Sequence, residues 1–312
     1  MIVVELAGGL ASQLHKYAVA RALADTLGQD LKLDVRAYSK RSNNNGGRAY
    51  GLDKFNIRAG IASNYDILQS RGYVEPIAMY LTKLAQKFYV KGDFSKIQVV
   101  IKEKFNKSYY RADITKGATV AFFNKLKLIE KENLYLCGEW GMGTAFFDEN
   151  RNSILNDLTP CYPLSQNAQN FLALIEAQDT VACHIRRGDY VGNNFHNLCD
   201  EAYYVNGINH VLARKPGLQL AIFTDDPVWA CDHFVKLLGQ TPLVIRGCDI
   251  WEDFYLLSRC QHFVLSASGF SSLASWLSDG AGKIVVSPKI WFSDKDINRA
   301  QLSQLPTDWI YL

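Results

Sequence analysis

Short apolar runs alternate with longer helical patterns along much of this 312-residue chain. The first apolar run, residues 2–6, leads into a glycine-containing loop. An alanine-rich helical pattern follows over residues 12–27, and a second apolar run covers residues 31–35. Apolar runs of about four to eight residues bounded by turn signals are typical of buried strands. The pattern therefore predicts a β-α-β unit at the N-terminus.

The second half of the chain is more regular. Strands are predicted at residues 180–186, 219–224, 243–245, 262–265 and 283–287. Helical patterns lie between and around them, at about residues 165–178, 200–214, 227–238, 250–259 and 270–279. Strands that alternate with helices in this way predict a parallel, doubly wound sheet. Because such sheets bind ligands at the carboxyl ends of their strands, we expect the chemistry just after each strand.

The best candidate for a domain junction is the stretch 156–163, which contains two prolines and little periodicity. It divides the chain into residues 1–158 and 159–312. A length of 312 residues fits two α/β domains, and two such domains imply a cleft. The Asn- and Gly-rich stretch 38–50 has the composition of a mobile loop, and residues 57–136 carry no sharp chemical motif.

Composition excludes several classes of protein. A hydrophobic share of 48% and a charged share of 21% are those of a globular chain, not of a disordered or fibrous one. The net charge of +3 is small and the Lys and Arg residues are scattered, which argues against nucleic-acid binding. We see neither a membrane span nor a signal peptide. Seven cysteines without a C-x-x-C pair indicate a reducing compartment.

These features predict a cytoplasmic protein. The weakly basic surface is also compatible with peripheral binding to the inner face of the membrane.

One segment carries the strongest chemical signal: His184-Ile185-Arg186-Arg187-Gly188-Asp189-Tyr190 begins in a predicted strand and ends in a glycine turn. Arg186, at the carboxyl end of the strand, presents a planar set of N–H donors suited to a pyrophosphate. The structural alternative is an ion pair of Arg186 or Arg187 with Asp189 at the turn. A histidine such as His184 is, taken alone, more often a half-buried structural residue than a catalytic one.

The next predicted strand ends in two carboxylates, Asp225 and Asp226, followed by a proline. Asp226 is a candidate N-cap of the helix after it. Asp225 can accept hydrogen bonds from ribose hydroxyls or from a guanine ring. Adjacent aspartates lack the Asp-x-Asp spacing that holds a metal on a sugar diphosphate, and Asp294-Lys295-Asp296 fits surface charge better. No metal site is predicted.

Small residues at two further loops suit phosphate binding. Ser266, Ser268 and Ser271 precede or open a predicted helix, where hydroxyls and backbone N–H groups form an anion site. Simple N-capping by Ser268 or Ser271 is the alternative. In the first loop, Gly8 and Gly9 have no side chains and let the backbone approach a phosphate closely.

Four motifs occur in this order along the chain: Gly8-Gly9 with Gln13 and Tyr17, then HIRRGDYV, then FTDD, then S-x-S-x-F-S before a helix that ends in Trp276-Leu277. In this respect the chain resembles the α-1,2-fucosyltransferase family and, more loosely, the α-1,2/α-1,6/O-fucosyltransferase group. HIRRGDYV is the most specific motif, and Trp291-Phe292 later in the chain also matches the family. The chain departs from the family pattern at Ser12 and His15, where the family has Asn and Phe, and within residues 266–273.

The resemblance implies an α/β, GT-B-like fold of two Rossmann-like domains whose parallel sheets face a cleft. The N-terminal domain would lie on the acceptor side, and the C-terminal domain would bind GDP-fucose. The implied activity is that of an inverting, metal-independent glycosyltransferase without a cofactor. It would move L-fucose from GDP-fucose, in α-1,2 linkage, to a galactoside hydroxyl of an oligosaccharide or glycolipid acceptor ending in galactose.

Residue by residue, the resemblance assigns catalytic roles to Arg186, which would hold the β-phosphate, and to His184, beside the diphosphate. Asp225 would serve guanosine recognition, and Ser268 with Ser271 would close the phosphate pocket. The remaining residues of the expected donor site are Gly8, Gly9, Gln13, Arg187, Asp189 and Ser266.

Two other functions stay open. A catalytically silent protein that binds sugar nucleotides would keep the same motifs. A nicotinamide-dependent oxidoreductase is suggested by Gly8-Gly9 and by Asp34 at the end of the second strand, although the G-x-G-x-x-G spacing is missing. The general base is unassigned: His15, Asp34 and Glu139 lie near loops that could face a cleft, but no spacing selects any of them.

Overall fold

The computed structural model describes residues 1–39, 48–71, 109–113, 123–124, 126–128, 133–139, 142–196 and 199–312. Residues 40–47 of the expected loop, and most of the segment 57–136, lie outside the described residues. Contacts divide the chain into two compact units. The first comprises Met1–Gly8, Lys16–Tyr50 and Arg58–Trp140, and the second comprises Gly9–His15, Gly51–Ile57 and Gly141–Leu312. Residues 141–158, assigned above to the N-terminal domain, thus belong to the second unit.

The first unit contains a parallel sheet with the strand order β3-β2-β1-β5-β4. Its strands are β1 (Ile2–Glu5), β2 (Leu31–Asp34), β3 (Gly60–Ile61), β4 (Tyr109–Asp113) and β5 (Leu134–Glu139). Helix α1 (Leu10–Leu27) follows β1, and α2 (Asn64–Arg71) follows β3. The predicted β-α-β unit is confirmed, with α1 beginning two residues earlier than the alanine-rich pattern indicated.

The second unit contains a parallel sheet with the strand order β11-β10-β9-β6-β7-β8. Its strands are β6 (Thr180–Ile185), β7 (Gln219–Thr224), β8 (Leu243–Val244), β9 (His262–Val264), β10 (Val285–Ser287) and β11 (Ile310–Tyr311). Its helices are α3 (Arg151–Asp157), α4 (Gln166–Glu176), α5 (Glu201–Arg214), α6 (Ile250–Ser258), α7 (Gly269–Leu277) and α8 (Lys295–Leu302). The predicted parallel α/β architecture is confirmed.

One predicted element differs in kind. The helix expected over residues 227–238 consists of a short α-helical turn, Pro227–Trp229, then a π-helical turn, Ala230–Phe234, and a 3-10 turn, Val235–Leu237. Its start is as predicted, because Asp226 caps it: the Oδ1 of Asp226 accepts a hydrogen bond from the backbone N–H of Trp229 at 3.1 Å.

The core of the second unit lies around β6, in which all six residues are buried. Helix α5 packs closely against the sheet at Gly207, where a Cβ atom would lie 2.7 Å from a methyl carbon of Val264. Glycine is required there by space, since any side chain would force the helix away from the sheet.

The strand order determines where the site forms. Strand β6 lies between β9 and β7, and all three are parallel, so their carboxyl ends meet at one edge of the sheet. Arg186 and Asp225 directly follow β6 and β7, and Ser266 is the second residue after β9. Three of the four predicted motifs therefore converge within the second unit.

Candidate active site

Arg186 lies at the centre of the site. Its Nη1 contacts the Oδ2 of Asp225 at 2.7 Å, and its Nη2 contacts the Oδ1 of Asp189 at 2.5 Å. The predicted structural ion pair with Asp189 is therefore present, and a second carboxylate joins it. Just over a quarter of each side chain is exposed, 29% for Arg186 and 27% for Asp225. Held between two carboxylates, the guanidinium has a defined orientation and still reaches solvent.

Asp225 is engaged on both of its oxygens. Besides Oδ2 to Arg186, its Oδ1 accepts a hydrogen bond from the backbone N–H of Arg187 at 2.9 Å. The carboxylate thus ties the turn after β6 to the end of β7, a positioning role beyond the nucleoside recognition expected of it.

Gly188 makes this arrangement possible. A Cβ atom at Gly188 would overlap the Oδ2 of Asp225 and lie 3.3 Å from its Cγ. The φ angle of Gly188 is outside the left-handed region, so the requirement for glycine is one of space.

Arg187 points to a different group of residues. Its guanidinium lies 3.9 Å from the centre of the Trp229 ring, and its Nε donates to the Oδ2 of Asp226 at 3.2 Å. A stacked and paired arginine of this kind is fixed in place. The sequence did not indicate the contact with Trp229, because an aromatic residue five positions after a strand has no recognisable spacing.

His184 is buried near the carboxyl end of β6, with 6% of its surface exposed. Its Nδ1 lies 2.7 Å from the Oγ of Ser266, and its ring stacks on Phe270 at 5.5 Å between centroids. Burial, and then the nearby Arg186 charge, lower the pKa of His184 to about 3. The imidazole is therefore neutral around pH 7 and acts through hydrogen bonds, not as a cation.

Helix α7 begins at the same edge of the sheet. The Oγ of Ser268 accepts a hydrogen bond from the backbone N–H of Phe270 at 3.3 Å, so Ser268 is the N-cap. The Oγ of Ser271 donates to the carbonyl of Ser268 at 3.3 Å and is fully buried. Capping by Ser268, the simpler of the two roles considered for it, is thus observed, and the positive end of the helix dipole lies at this edge of the sheet.

A group of rings continues from Arg186, whose guanidinium lies 5.5 Å from the Tyr190 ring. Tyr190 stacks on His196 at 4.5 Å and 9°. Phe195 and Phe292 lie 5.1 Å and 5.4 Å from the His196 ring and 5.2 Å from one another. Tyr190, Phe195, His196 and Phe292 are called the ring cluster below. Tyr190 belongs to the HIRRGDYV motif and Phe292 to the Trp291-Phe292 pair, whereas no motif marked Phe195 or His196.

Three expected donor-site residues are not among these contacts. Gly8, in the first unit, has a φ of 85°, and its carbonyl accepts a hydrogen bond from the Tyr38 hydroxyl at 2.9 Å. Gly9 and Gln13 belong to the second unit. Gln13 is fully buried, and its Oε1 accepts a hydrogen bond from the backbone N–H of Gly51 at 2.9 Å. Donor binding by these three residues stays a prediction.

The candidate bases are unsuited to proton abstraction where the structure describes them. Burial alone would raise the pKa of Asp34, but hydrogen bonds from Arg36 and Tyr135 outweigh it and hold that pKa below its ordinary value. His15 has 1% of its surface exposed, and burial lowers its pKa to about 4. The side chain of Glu139 lies outside the described residues, and the general base stays unassigned.

Asp294-Lys295-Asp296 is a helix start. The Oδ1 of Asp294 accepts hydrogen bonds from the backbone N–H groups of Asp296 and Ile297, both at 2.9 Å. Within the described part of the chain, the side chains of His, Cys, Asp and Glu form no group of three or more arranged to hold a metal ion. Among the same residues, no helix combines the length and the apolar character that crossing a membrane requires.

Comparison with known proteins identifies relatives over the whole chain. A family model described as Glycosyl transferase family 11 matches residues 1–312. An alpha-1,2-colitosyltransferase of Escherichia coli is 25% identical over 316 aligned residues, which cover 99% of this chain and 98% of that protein. Human galactoside alpha-(1,2)-fucosyltransferase 1 is 24% identical over 149 residues, covering 44% of this chain and 41% of that protein.

Solved structures support the fold. The fucosyltransferase NodZ from Bradyrhizobium is similar with a TM-score of 0.51 at 14% identity, covering 89% of this chain and 92% of that one. NodZ alpha-1,6-fucosyltransferase soaked with GDP-fucose gives a TM-score of 0.50 at 16% identity, with the same coverage. The expected GT-B-like α/β fold is confirmed.

Proposed function

The chain belongs to glycosyltransferase family 11, and from this premise we propose that it transfers L-fucose from GDP-fucose to a galactoside hydroxyl, forming an α-1,2 linkage. The acceptor is an oligosaccharide or glycolipid that ends in galactose, and the reaction inverts the anomeric carbon. Membership of a glycosyltransferase family removes the oxidoreductase alternative. The relatives named above, one colitosyltransferase and one galactoside fucosyltransferase, support the α-1,2 linkage.

One observation carries the proposal: Arg186 is held, with its orientation defined, at the edge of the sheet where α7 begins. As the sugar leaves, negative charge accumulates on the β-phosphate. A guanidinium fork and a helix N-terminus aimed at that charge stabilise the transition state more than the ground state. We assign Arg186 to the β-phosphate, with Ser268 and Ser271 beside it at the start of α7.

Directed donors, not net charge, would attract the diphosphate. Two guanidinium groups, on Arg186 and Arg187, face three carboxylates, on Asp189, Asp225 and Asp226, so these five side chains sum to one negative charge. A diphosphate gains from such a site only through N–H and O–H groups that are already oriented toward it. The carboxylates supply that orientation.

His184 contributes as a neutral hydrogen-bonding ring beside the diphosphate. With its pKa lowered to about 3, it has no charge to offer the leaving group near pH 7. Its bond to Ser266 and its stack on Phe270 connect β6 to the residues before and inside α7. We place donor binding in the second unit and assign part of the acceptor site to the first unit. The cysteine content favours a cytoplasmic site of action.

The experiment combines product analysis with nucleotide binding. The purified protein is incubated with GDP-fucose and a panel of oligosaccharides ending in galactose, and mass spectrometry with linkage analysis identifies the product. We expect an α-1,2-fucosylated galactoside. GDP should also raise the melting temperature while NAD does not, because a ligand at 100 times its dissociation constant adds about 2.7 kcal/mol. GDP stabilisation without transfer to any acceptor would indicate a silent binding protein instead.

A further inference from the structure

We propose that the ring cluster is an acceptor subsite, in which the exposed face of Phe195 packs against the apolar face of a pyranose of the glycan. This inference rests on the proposed function. It assigns a binding role to Phe195 and His196, which no sequence motif indicated, and to Phe292.

The cluster is continuous with the candidate active site. Arg186 contacts the Tyr190 ring, Tyr190 stacks on His196, and His196 contacts Phe195 edge to face. The charges of Arg186 and Asp189 also act on His196. Its pKa is lowered, mainly by burial; the Asp189 charge opposes this shift and the Arg186 charge adds to it. Three successive contacts therefore connect Phe195 to Arg186, the residue assigned to the β-phosphate.

Phe195 is exposed yet fixed in place. It has 44% of its surface exposed, while its backbone is bonded on both sides. Its N–H donates to the Oδ1 of Asn193 at 2.8 Å, and its carbonyl accepts from the N–H of Ser293 at 3.1 Å. The neighbouring His196 forms an antiparallel bridge with Phe292. A rigid, exposed aromatic side chain binds a ligand without the entropy cost of ordering it first.

The chemistry of the loop favours a sugar. One face of a pyranose presents C–H groups that pack on an aromatic ring, while its hydroxyls need polar neighbours. Such neighbours are near: the Asp189 carboxylate, 49% exposed, lies on the same loop. A surface for anionic lipid would instead require basic residues, but residues 188–200 contain two aspartates and neither Lys nor Arg.

The test is steady-state kinetics of Phe195→Ala and Phe195→Tyr with GDP-fucose and a galactose-terminated oligosaccharide. We expect Phe195→Ala to raise the acceptor KM roughly tenfold while the donor KM stays constant. Phe195→Tyr keeps the ring and should keep the parent KM. Leu174→Ala is the matched control: Leu174 lies in the same unit, on α4, and is 46% exposed. It should change neither KM.

Acceptor affinity is also measured by titration calorimetry in the presence of GDP, so the subsite is tested even without turnover. Weaker acceptor binding in Phe195→Ala with an unchanged GDP-induced melting shift supports the proposal. A parent-like acceptor affinity would overturn it while leaving the fucosyltransferase assignment intact. A rise confined to the donor KM would also overturn it. Loss of turnover in His196→Phe, with Phe195→Ala active, would point to proton transfer and contradict a stacking role.

Discussion

Substitution of Gly188 by alanine tests whether Asp225 orients Arg186. The new methyl group would overlap the Oδ2 of Asp225, which cannot move freely because its two oxygens are held by Arg186 at 2.7 Å and by the Arg187 N–H at 2.9 Å. The backbone tolerates alanine, since the φ of Gly188 is not in the left-handed region. The substitution therefore acts by displacing the carboxylate, and with it the guanidinium.

The expected effects on stability and activity differ in size. Overpacking costs about 1–3 kcal/mol, which for a chain of this size lowers the melting temperature by roughly 2 to 5 °C. The Arg186–Asp225 ion pair is partly exposed and contributes little to stability by itself. A catalytic group misplaced by about 1 Å can lose roughly 10² in rate. We therefore expect a folded variant with kcat/KM about 10²-fold below the parent value.

The assay measures release of GDP and formation of fucosylated product, together with the melting temperature. Gly239→Ala is the matched control, because a Cβ at Gly239 meets nothing within 4 Å and its φ is also ordinary. The control should match the parent in both measurements. A Gly188→Ala variant with parent-like kcat/KM would refute the claim that the Asp225 contact positions Arg186.

Four further predictions concern stability, pH and metals. Arg151 donates to the carbonyls of Trp276, Leu277 and Ser278, so Arg151→Met should cost about 2 kcal/mol in chemical denaturation, and an unchanged midpoint would contradict this. The pKa of His15 is lowered to about 4, so the folded protein disfavours protonation of this ring and loses stability as pH falls below about 6.5, where the unfolded chain takes up the proton. His15→Phe should therefore reduce the drop in melting temperature between pH 8 and pH 5. Burial raises the pKa of Asp253 to about 7, so the folded protein resists ionisation of this carboxyl and loses stability relative to the unfolded chain as pH rises toward 7. Asp253→Asn should therefore stabilise the protein more at pH 8 than at pH 5. Transfer should continue in EDTA, and a loss restored by manganese would point to a metal.

Strands β6, β7 and β9 could be predicted because they are largely buried and rich in apolar residues. Strand β11, two partly buried residues long, was not predicted. The late start of β10 has a physical cause. A strand was expected from residue 283, but β10 begins at Val285. The Nζ of Lys283 instead donates to the carbonyls of Ser275 and Ser278, at 2.7 Å and 2.8 Å, at the end of α7. A cap by a side chain from beyond the end of the helix leaves no periodic signal in the sequence.

The sequence indicated single residues of the site but not the contacts between them. Burial of β6 and the polar residues after it indicated that Arg186 and Asp225 were important, but their mutual contact depends on β6 lying beside β7. Strand order is a property of the folded sheet. The contacts of Phe195 and His196 could not be predicted either, because the Phe292 ring that packs on both lies about a hundred residues away in the chain.

The π-helical turn at Ala230–Phe234 shows a third limit. Asp226, which caps the α-helical turn before it, and the proline after Asp226 were recognised, so the start of the whole element is correct. The rest of the element depends on how Phe234 and Trp229 pack together, at 6.1 Å between ring centroids. Helical periodicity cannot distinguish α from π or 3-10 turns over so few residues.

The most direct test of the central claim compares Arg186→Lys and Arg186→Ala with the parent in transfer from GDP-fucose, alongside their melting temperatures. Both variants should fold, since the ion pairs they remove are partly exposed. Arg186→Ala should lose roughly 10²- to 10³-fold in kcat, the typical effect of removing one preorganised donor. Lysine keeps the charge but not the planar fork, so it should restore little of the rate. A stable Arg186→Ala variant that transfers fucose at nearly the parent rate would contradict the account.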